Sequence, residues 1–279
     1  MDYSWTDYLT PDETAILAEV DDWVATRPGI VGRMIGLAGK PFDFAYSKIP
    51  QSVQGAISQA VLKALTTMRD GTASLVSRKA IFQQIEALSG PLEGAGGLLK
   101  VNVRILDRVA QDLTRKNRNA CTVEGAAAGA AGLPGLALDI PALYGLLFKL
   151  IQETATCYGF PVKPPQERAH ILKILDIGHH LDSDTKKAGM AELQTVQEMI
   201  RQGTPVHDLE RYALHKGLQA MATNLAVSLT RRKLAQSAFI VGGLVGAGVN
   251  RMMASDIGEV AFHAYRRRFL MEVALSRMA

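Results

Sequence analysis

Pairs of carboxylate and imidazole side chains at helical spacing are the residues of this sequence best suited to chemistry. Glu167 and His170 are three residues apart, and Glu259 and His263 are four apart, so each pair would share one face of a helix. A dinuclear metal site in a helical bundle uses two Glu-x-x-His pairs and two further glutamates. Because only Glu167 and His170 have that spacing, the incomplete motif predicts solvated helix faces. Glu167 and His170 remain candidate metal ligands, but no metal or other cofactor is predicted.

Two further carboxylates, Glu124 and Asp139, bracket an apolar stretch and are the candidate catalytic residues of a hydrolase or a metal-dependent enzyme. Asp139 also has the pattern of a helix cap, because Pro141 follows it in what would be the first turn of a helix over residues 140–157. Glu124 would likewise lie in the first turn of its own helix. The motifs of common proteases, hydrolases, redox proteins and nucleotide-binding proteins are absent. Catalytic residues therefore stay unassigned beyond these two candidates.

The composition is that of an ordered globular protein. The 279 residues are 48% hydrophobic and 21% charged, which excludes a disordered chain. Two cysteines, Cys121 and Cys157, are too few for a secreted disulfide scaffold and are expected to be buried thiols. The sequence has neither a secretory signal nor a run of about 18 uncharged apolar residues, the length of a membrane-spanning helix. We therefore predict a cytoplasmic protein, which can lie peripheral to the inner face of the cell membrane.

Helix signals recur along the whole chain and strand alternation is almost absent. Thr10-Pro11-Asp12-Glu13 has the pattern of a helix start, and Pro164-Pro165 starts another helix. A helix that begins near Leu99 is expected to end at residues 115–119, where cations would face the negative end of its dipole. The sequence predicts an all-α fold of about ten helices in one compact domain. A glycine-rich break at residues 90–97 divides an N-terminal helical region, 1–90, from a helical core, 91–279.

Two glycine-rich apolar segments stand apart from the rest of the chain. Gly125 and Gly129 are four residues apart, as are Gly242 and Gly246. Small residues at that spacing lie on one helix face and let a second helix approach closely. The segments are predicted to pack against each other at the centre of the fold. This pattern is typical both of a close-packed soluble core and of helices that dock on or insert into lipid.

Clusters of cations flank the second glycine-rich segment and recur in the last helix. Cations beside an apolar segment are typical of a surface that binds anionic lipid headgroups, and a solvated helix face with salt bridges is the alternative. Nucleic acid is not expected as a partner, since aromatic residues make up 6% of the chain and none are interleaved with the cations as a stacking motif. The predicted membrane-binding residues are Arg231, Arg232, Lys233, Arg251, Arg266, Arg267 and Arg268.

The two glycine-rich segments and their surroundings resemble the EcsC protein family. The resemblance spans roughly residues 60–275 and rests on EG at 124–125, LPG at 133–135, DIPAL at 139–143, IQE at 151–153, CYG at 157–159, VGGLVGAGVN at 241–250 and YRRRFL at 265–270. EcsC proteins are bacterial and are named for a gene beside an ABC transporter operon. The resemblance therefore implies a bacterial cytoplasmic protein that works at the membrane. It implies no reaction, cofactor or catalytic residue.

Three functional hypotheses follow. The leading one is a non-enzymatic cytoplasmic protein that associates peripherally with an anionic membrane surface or a membrane transporter through its glycine-rich helices and flanking arginines. The first alternative is a hydrolase or metal-dependent enzyme that uses Glu124 and Asp139. The second alternative is a carrier that holds a small apolar ligand among the same helices. The sequence does not indicate an oligomeric state.

Overall fold

A computed structural model describes residues 4–26, 46–69, 76–94, 96–128, 132–179, 183–214, 217–239 and 245–278. Within these ranges the chain is helical and contains no strand, which confirms the predicted all-α fold. Two short 3-10 helices span Trp5–Tyr8 and Gly97–Lys100. The α-helices are α1 (Pro11–Ala25), α2 (Gln51–Arg69), α3 (Arg78–Ser89), α4 (Val103–Ala128), α5 (Gly132–Cys157), α6 (Pro165–His179), α7 (Ser183–Arg201), α8 (Val206–Ala213), α9 (Gly217–Phe239) and α10 (Val245–Met278).

The first helix begins where its sequence signal predicts. The Thr10 side chain accepts a hydrogen bond from the Glu13 backbone N–H at 3.3 Å, and the Glu13 carboxylate accepts one from the Thr10 N–H at 2.8 Å. This reciprocal capping satisfies two donors that the first turn would otherwise leave open. Pro11 occupies the first helical position, where its missing N–H costs nothing. The predicted start at Pro164-Pro165 is also confirmed, since α6 begins at Pro165.

The long helices α4 and α10 lie antiparallel at the centre of the fold. Near one end Asn250 of α10 donates to Glu124 of α4 at 2.5 Å, and near the other Arg266 donates to Asp107 at 2.7 Å. Between them Gly258 lies so close to α4 that a Cβ there would come within 2.7 Å of Thr114 Cγ2. Residues from α1 to α3 share one hydrophobic core with those of α4 to α7, α9 and α10, so the N-terminal region packs on the remainder of the chain. The boundary at residue 90 stays a prediction.

Some helices in the described part of the chain approach each other closely at isolated glycines. Besides Gly258, Gly178 of α6 meets α10 so closely that a Cβ would lie 2.9 Å from the Ile257 Cα. Among the glycines predicted to pack, Gly125 is buried in α4 and Gly246 lies in the first turn of α10. Gly129 and Gly242 lie outside the described residues. The central packing of the two glycine-rich segments therefore stays a prediction.

Two predicted helix boundaries are wrong. α4 does not end at residues 115–119 but runs on to Ala128, because its last turns are rich in alanine, the best helix former, and pack on α10. α5 begins at Gly132 and includes Pro141 in its interior. Asp139 is therefore an interior residue of α5 and not a helix cap, and Glu124 lies in the last turns of α4 and not in a first turn.

Candidate functional site

Three of the arginines predicted to bind a membrane are buried and paired inside the fold. Arg266 is 3% exposed and Arg268 is 7% exposed, and Arg232 is 2% exposed. The prediction is wrong for these three, because each guanidinium is buried and would have to leave its carboxylate to reach lipid. For the pairs buried on both sides, those of Arg266 with Asp107 and Arg268 with Glu167, that costs about 3–5 kcal/mol. The partners of the three arginines are Asp107 at 2.7 Å and Glu19 at 2.8 Å for Arg266, Glu167 at 2.7 Å for Arg268, and Asp256 at 2.8 Å for Arg232.

The other four predicted membrane-binding cations are at least partly accessible. Arg251 is exposed and donates to the Asn119 side chain at 3.3 Å. Arg231 and Lys233 are half-buried near the end of α9. Arg267 is half-buried and pairs with Asp21 at 2.6 Å. Membrane binding by these four residues stays a prediction.

The candidate metal ligands Glu167 and His170 are parts of the core. Arg268 and the Tyr265 hydroxyl both donate to the Glu167 carboxylate. His170 is fully buried, and neither ring nitrogen has a hydrogen-bond partner among the residues that the structure describes. Burial, with a smaller contribution from Arg268, lowers the pKa of His170 well below its ordinary value. No cluster of three or more His, Cys, Asp or Glu residues in the described ranges could hold a metal ion. The Glu167–His170 spacing therefore marks a buried helix face, which corrects the expected solvated one.

Of the two candidate catalytic carboxylates, the structure describes the side chain of Glu124 only. Glu124 is half-buried, and its Oε2 accepts the hydrogen bond from Asn250 that joins α4 to α10. Asp139 lies within α5, and its side chain is outside the described part of the structure. A catalytic role for this pair stays a prediction.

The helix ends that flank the two glycine-rich segments lie together at one end of the molecule. The hydrogen bond between Asn250 and Glu124 places the start of α10 beside the end of α4. Asn117 of α4 donates to Glu153 of α5 at 2.5 Å, as expected for two successive antiparallel helices. The ion pair between Arg232 and Asp256 likewise places the last turns of α9 beside the first half of α10. We call this region, formed by the ends at Ala128, Gly132, Phe239 and Val245, the glycine-rich end.

A second feature is a cavity of about 630 Å³ between α1, α4 and α10, a size typical of small-molecule sites. We call it the arginine cavity. Four of its arginines follow one another along α4 at steps of four, seven and three residues, which keeps them on one helix face. The lining residues are Glu19, Arg104, Asp107, Arg108, Gln111, Thr114, Arg115, Arg118, Gly258, Glu259, Phe262, His263 and Arg266.

The charges at one end of the arginine cavity are balanced. Glu19 accepts hydrogen bonds from Arg104 at 2.6 and 2.9 Å and from Arg266 at 2.8 Å. The hydrogen bond from Arg104, with a smaller one from Arg266, lowers the pKa of Glu19 to about 2. Asp107 accepts from Arg266 and from the buried Tyr158 hydroxyl. Burial nevertheless raises the pKa of Asp107, because it outweighs the nearby Arg266. These pairs fix the walls of the cavity.

The other end of the cavity carries polar groups without partners. The atoms Thr114 Oγ1, Arg118 Nε and His263 Nδ1 are buried and have no hydrogen-bond partner among the described residues. His263 stacks on Trp23 with a centroid distance of 4.2 Å, and its Nε2 lies 3.5 Å from a Glu259 oxygen. Burial lowers the pKa of His263, although Glu259 opposes this shift. The hydrogen bond with His263 lowers the pKa of Glu259. Such a group of donors, with a neutral imidazole beside it, can bind an anion.

The arginine cavity is not predicted by the sequence pattern, because Arg115 and Arg118 lie in a run that is typical of a helix terminus, where cations are common. The spacing of Arg104, Arg108, Arg115 and Arg118 is the signal that would have indicated a cationic face on a longer helix. The pairing of Asp107 with Arg266, 159 residues later, has no signal in the sequence.

Comparisons with known proteins agree with the resemblance noted from the glycine-rich segments. None of the described helices combines the length and apolar character needed to cross a membrane. The chain is 26% identical over 238 residues to "Uncharacterized protein YdbA" of Bacillus subtilis (strain 168), covering 85% of each chain. It is 23% identical over 229 residues to "Protein EcsC" of the same organism, covering 81% of this chain and 83% of that protein. No solved structure matches. Because residues 14–270 match the EcsC protein family, this chain is a member of that family.

Proposed function

We propose that this protein is non-enzymatic and associates peripherally with an anionic membrane surface through its glycine-rich end. The observation that carries the proposal is the meeting of α4 and α10 at Glu124 and Asn250. It brings the flanks of two separate apolar segments to one end of the molecule, where they could contact lipid together. Peripheral contact of this kind needs apolar side chains at the acyl boundary and cations at the headgroups.

Both kinds of side chain lie near the glycine-rich end. Val123, in the last turns of α4, is 72% exposed and is one of the few exposed large hydrophobic residues in the described part of the chain. Arg251, two turns into α10, is exposed as well. Arg231 and Lys233 lie within the last three turns of α9. The buried arginines of the last helix have no part in this proposal, which differs in that respect from the expectation drawn from the sequence.

Co-sedimentation of the purified chain with liposomes tests the proposal. We expect binding to vesicles that contain phosphatidylglycerol and weaker binding to pure phosphatidylcholine, with a loss of binding as salt screens the cations. Binding to both vesicle types that resists salt would indicate insertion of apolar side chains. No binding to either vesicle type at low salt would overturn the proposal.

Matched variants locate the contact. Val123→Glu replaces an exposed apolar side chain with a charge that anionic lipid repels, which should cost about 2 kcal/mol, or roughly 30-fold in binding. Met278→Glu makes a similar change at the other end of α10, about 50 Å away for a helix of this length, and should leave binding unchanged. Arg251→Glu should weaken binding at low salt and have little effect at high salt. Equal effects of Val123→Glu and Met278→Glu would exclude the glycine-rich end as the contact surface.

A further inference from the structure

The arginine cavity has no part in the proposed membrane contact. The end of the cavity with Arg108 and Arg118 carries a positive charge that suits a separate ligand. We infer that it is a binding site for a phosphate ester of a hydroxylated small molecule, such as a glycerol or sugar phosphate. The phosphate would lie beside Arg108 and Arg118, and the hydroxyl groups beside Gln111 and His263. These residues line one cavity of about 630 Å³.

The charge distribution indicates an anion. Glu19 and Asp107 hold Arg104 and Arg266 in ion pairs at the balanced end. Asp112 holds Arg115 at 2.5 Å. Arg108 and Arg118 make no ion pair with any residue in the ranges that the structure describes, and Glu259 is the one remaining carboxylate in the lining. Two guanidinium groups therefore face a space of ligand size whose one remaining carboxylate, Glu259, lies 3.5 Å from His263. The hydrogen bond with His263 and, less strongly, the charges of Lys186 and Arg118 lower the pKa of that carboxyl.

Unpartnered polar atoms indicate hydrogen bonds that the protein leaves open. Thr114 Oγ1 and Arg118 Nε are buried donors without acceptors in the described chain. Buried donors that lack partners are destabilising and are uncommon in folded proteins. Phosphate oxygens are strong acceptors, and arginine binds them through its planar fork of N–H groups. A phosphate at this end of the cavity would satisfy donors that water or protein would otherwise have to satisfy.

His263 indicates the hydroxylated part of the ligand. Its Nε2 faces the Glu259 carboxylate at 3.5 Å, so the neutral ring carries its proton on Nε2. The buried Nδ1, which has no partner within the described chain, is then an acceptor. The dianion of a phosphate ester, the main form above its second pKa of about 6, has no proton to donate to Nδ1, whereas a hydroxyl group has one. Gln111, which also lines the cavity, can both donate to and accept from a second hydroxyl.

Binding to the purified 279-residue chain tests this inference. Inorganic phosphate, glycerol 3-phosphate and glucose 6-phosphate are titrated by calorimetry, with glycerol and glucose as uncharged controls. Trp23 stacks on His263, so its fluorescence should respond to the ligand. We expect the phosphate esters to bind more tightly than inorganic phosphate and the uncharged polyols not to bind. If neither ester binds at millimolar concentration, the inference is overturned.

Arginine variants distinguish ester binding in the cavity from nonspecific attraction of the ester to cations on the protein surface. Arg118→Gln and Arg108→Gln should each weaken binding of the ester about 10- to 100-fold, the range for one charge-assisted hydrogen bond. Arg201→Gln is the control, because Arg201 is an exposed, ion-paired arginine of α7 outside the cavity. Unchanged affinity for the ester in Arg118→Gln, or no binding of either ester, would overturn the inference. Because Val123→Glu should leave ester binding intact, failure of the membrane proposal and failure of this site give different results.

Discussion

Replacing the consecutive arginines Arg266, Arg267 and Arg268 one at a time by methionine separates a structural role from a surface role. Arg268→Met leaves the Glu167 carboxylate, 4% exposed at the side chain, with the Tyr265 hydroxyl but no cation. Loss of one partner from a buried ion pair costs about 3–5 kcal/mol. Arg266→Met should cost a similar amount, since the Asp107 side chain is only 7% exposed. Arg267 instead pairs with Asp21, which is 61% exposed, and such a pair contributes about 0–1 kcal/mol.

Urea unfolding followed by circular dichroism measures these differences. We expect large losses in the free energy of unfolding for Arg266→Met and Arg268→Met and a change within about 1 kcal/mol for Arg267→Met. The double variant Glu167→Gln/Arg268→Met should be more stable than Arg268→Met alone, because glutamine accepts the Tyr265 hydrogen bond without a buried charge. Three equal losses, or near-native stability in Arg266→Met and Arg268→Met, would refute the assignment of Arg266 and Arg268 to the core. A large loss of stability also matters for lipid-binding assays. A variant with glutamate at Arg266, Arg267 and Arg268 would lose lipid binding because it unfolds, and not because those arginines contact lipid.

Three further predictions concern other buried groups. Gly178→Ala should destabilise the fold by about 1–3 kcal/mol, because its Cβ would lie 2.9 Å from the Ile257 Cα; a melting temperature equal to that of the native chain would contradict this crossing. Burial lowers the pKa of His170, so the unfolded chain binds a proton below about pH 6.5 that the folded chain does not, and stability should fall as the pH drops below that value. His170→Leu should reduce this slope in urea titrations between pH 7 and 5, and an unchanged slope would exclude His170 as a source. Burial raises the pKa of Cys121 to about 12 and also raises that of Cys157. Ellman's reagent at pH 8 should therefore modify neither thiol until urea unfolds the chain. Stoichiometric reaction in native buffer would show that the thiols are accessible.

Local chemistry made part of the fold predictable. The capping box at Thr10 and Glu13 needs only residues within one turn, and the structure contains it. The start of α6 at Pro165 and the all-helical character likewise depend on neighbours in sequence. The end of α4 does not, since Arg115 to Asn119 have the composition of a helix terminus and the helix nevertheless continues to Ala128. Contacts with α10, such as that between Asn250 and Glu124, support its last turns.

The candidate site was less predictable because its parts come from distant regions of the chain. Arg118 and His263 line one cavity although they are 145 positions apart in the sequence. Periodicity within α4 shows which arginines share a face, but not which helix covers that face. Whether a cation on such a face lies in solvent, in an ion pair or in a cavity depends on that covering helix.

The arginine triplet of α10 shows why a run of cations need not lie on a surface. Successive residues of a helix point about 100° apart, so three consecutive side chains point in three different directions. Arg266 pairs with Asp107 of α4, Arg267 with Asp21 of α1 and Arg268 with Glu167 of α6. A helix covered on several sides can therefore place a basic run entirely in ion pairs with its neighbours. Because the triplet is used in this way, cations for an external anion must come from residues without such carboxylates, and in the described chain Arg251 at the glycine-rich end and Arg108 and Arg118 in the arginine cavity meet that condition.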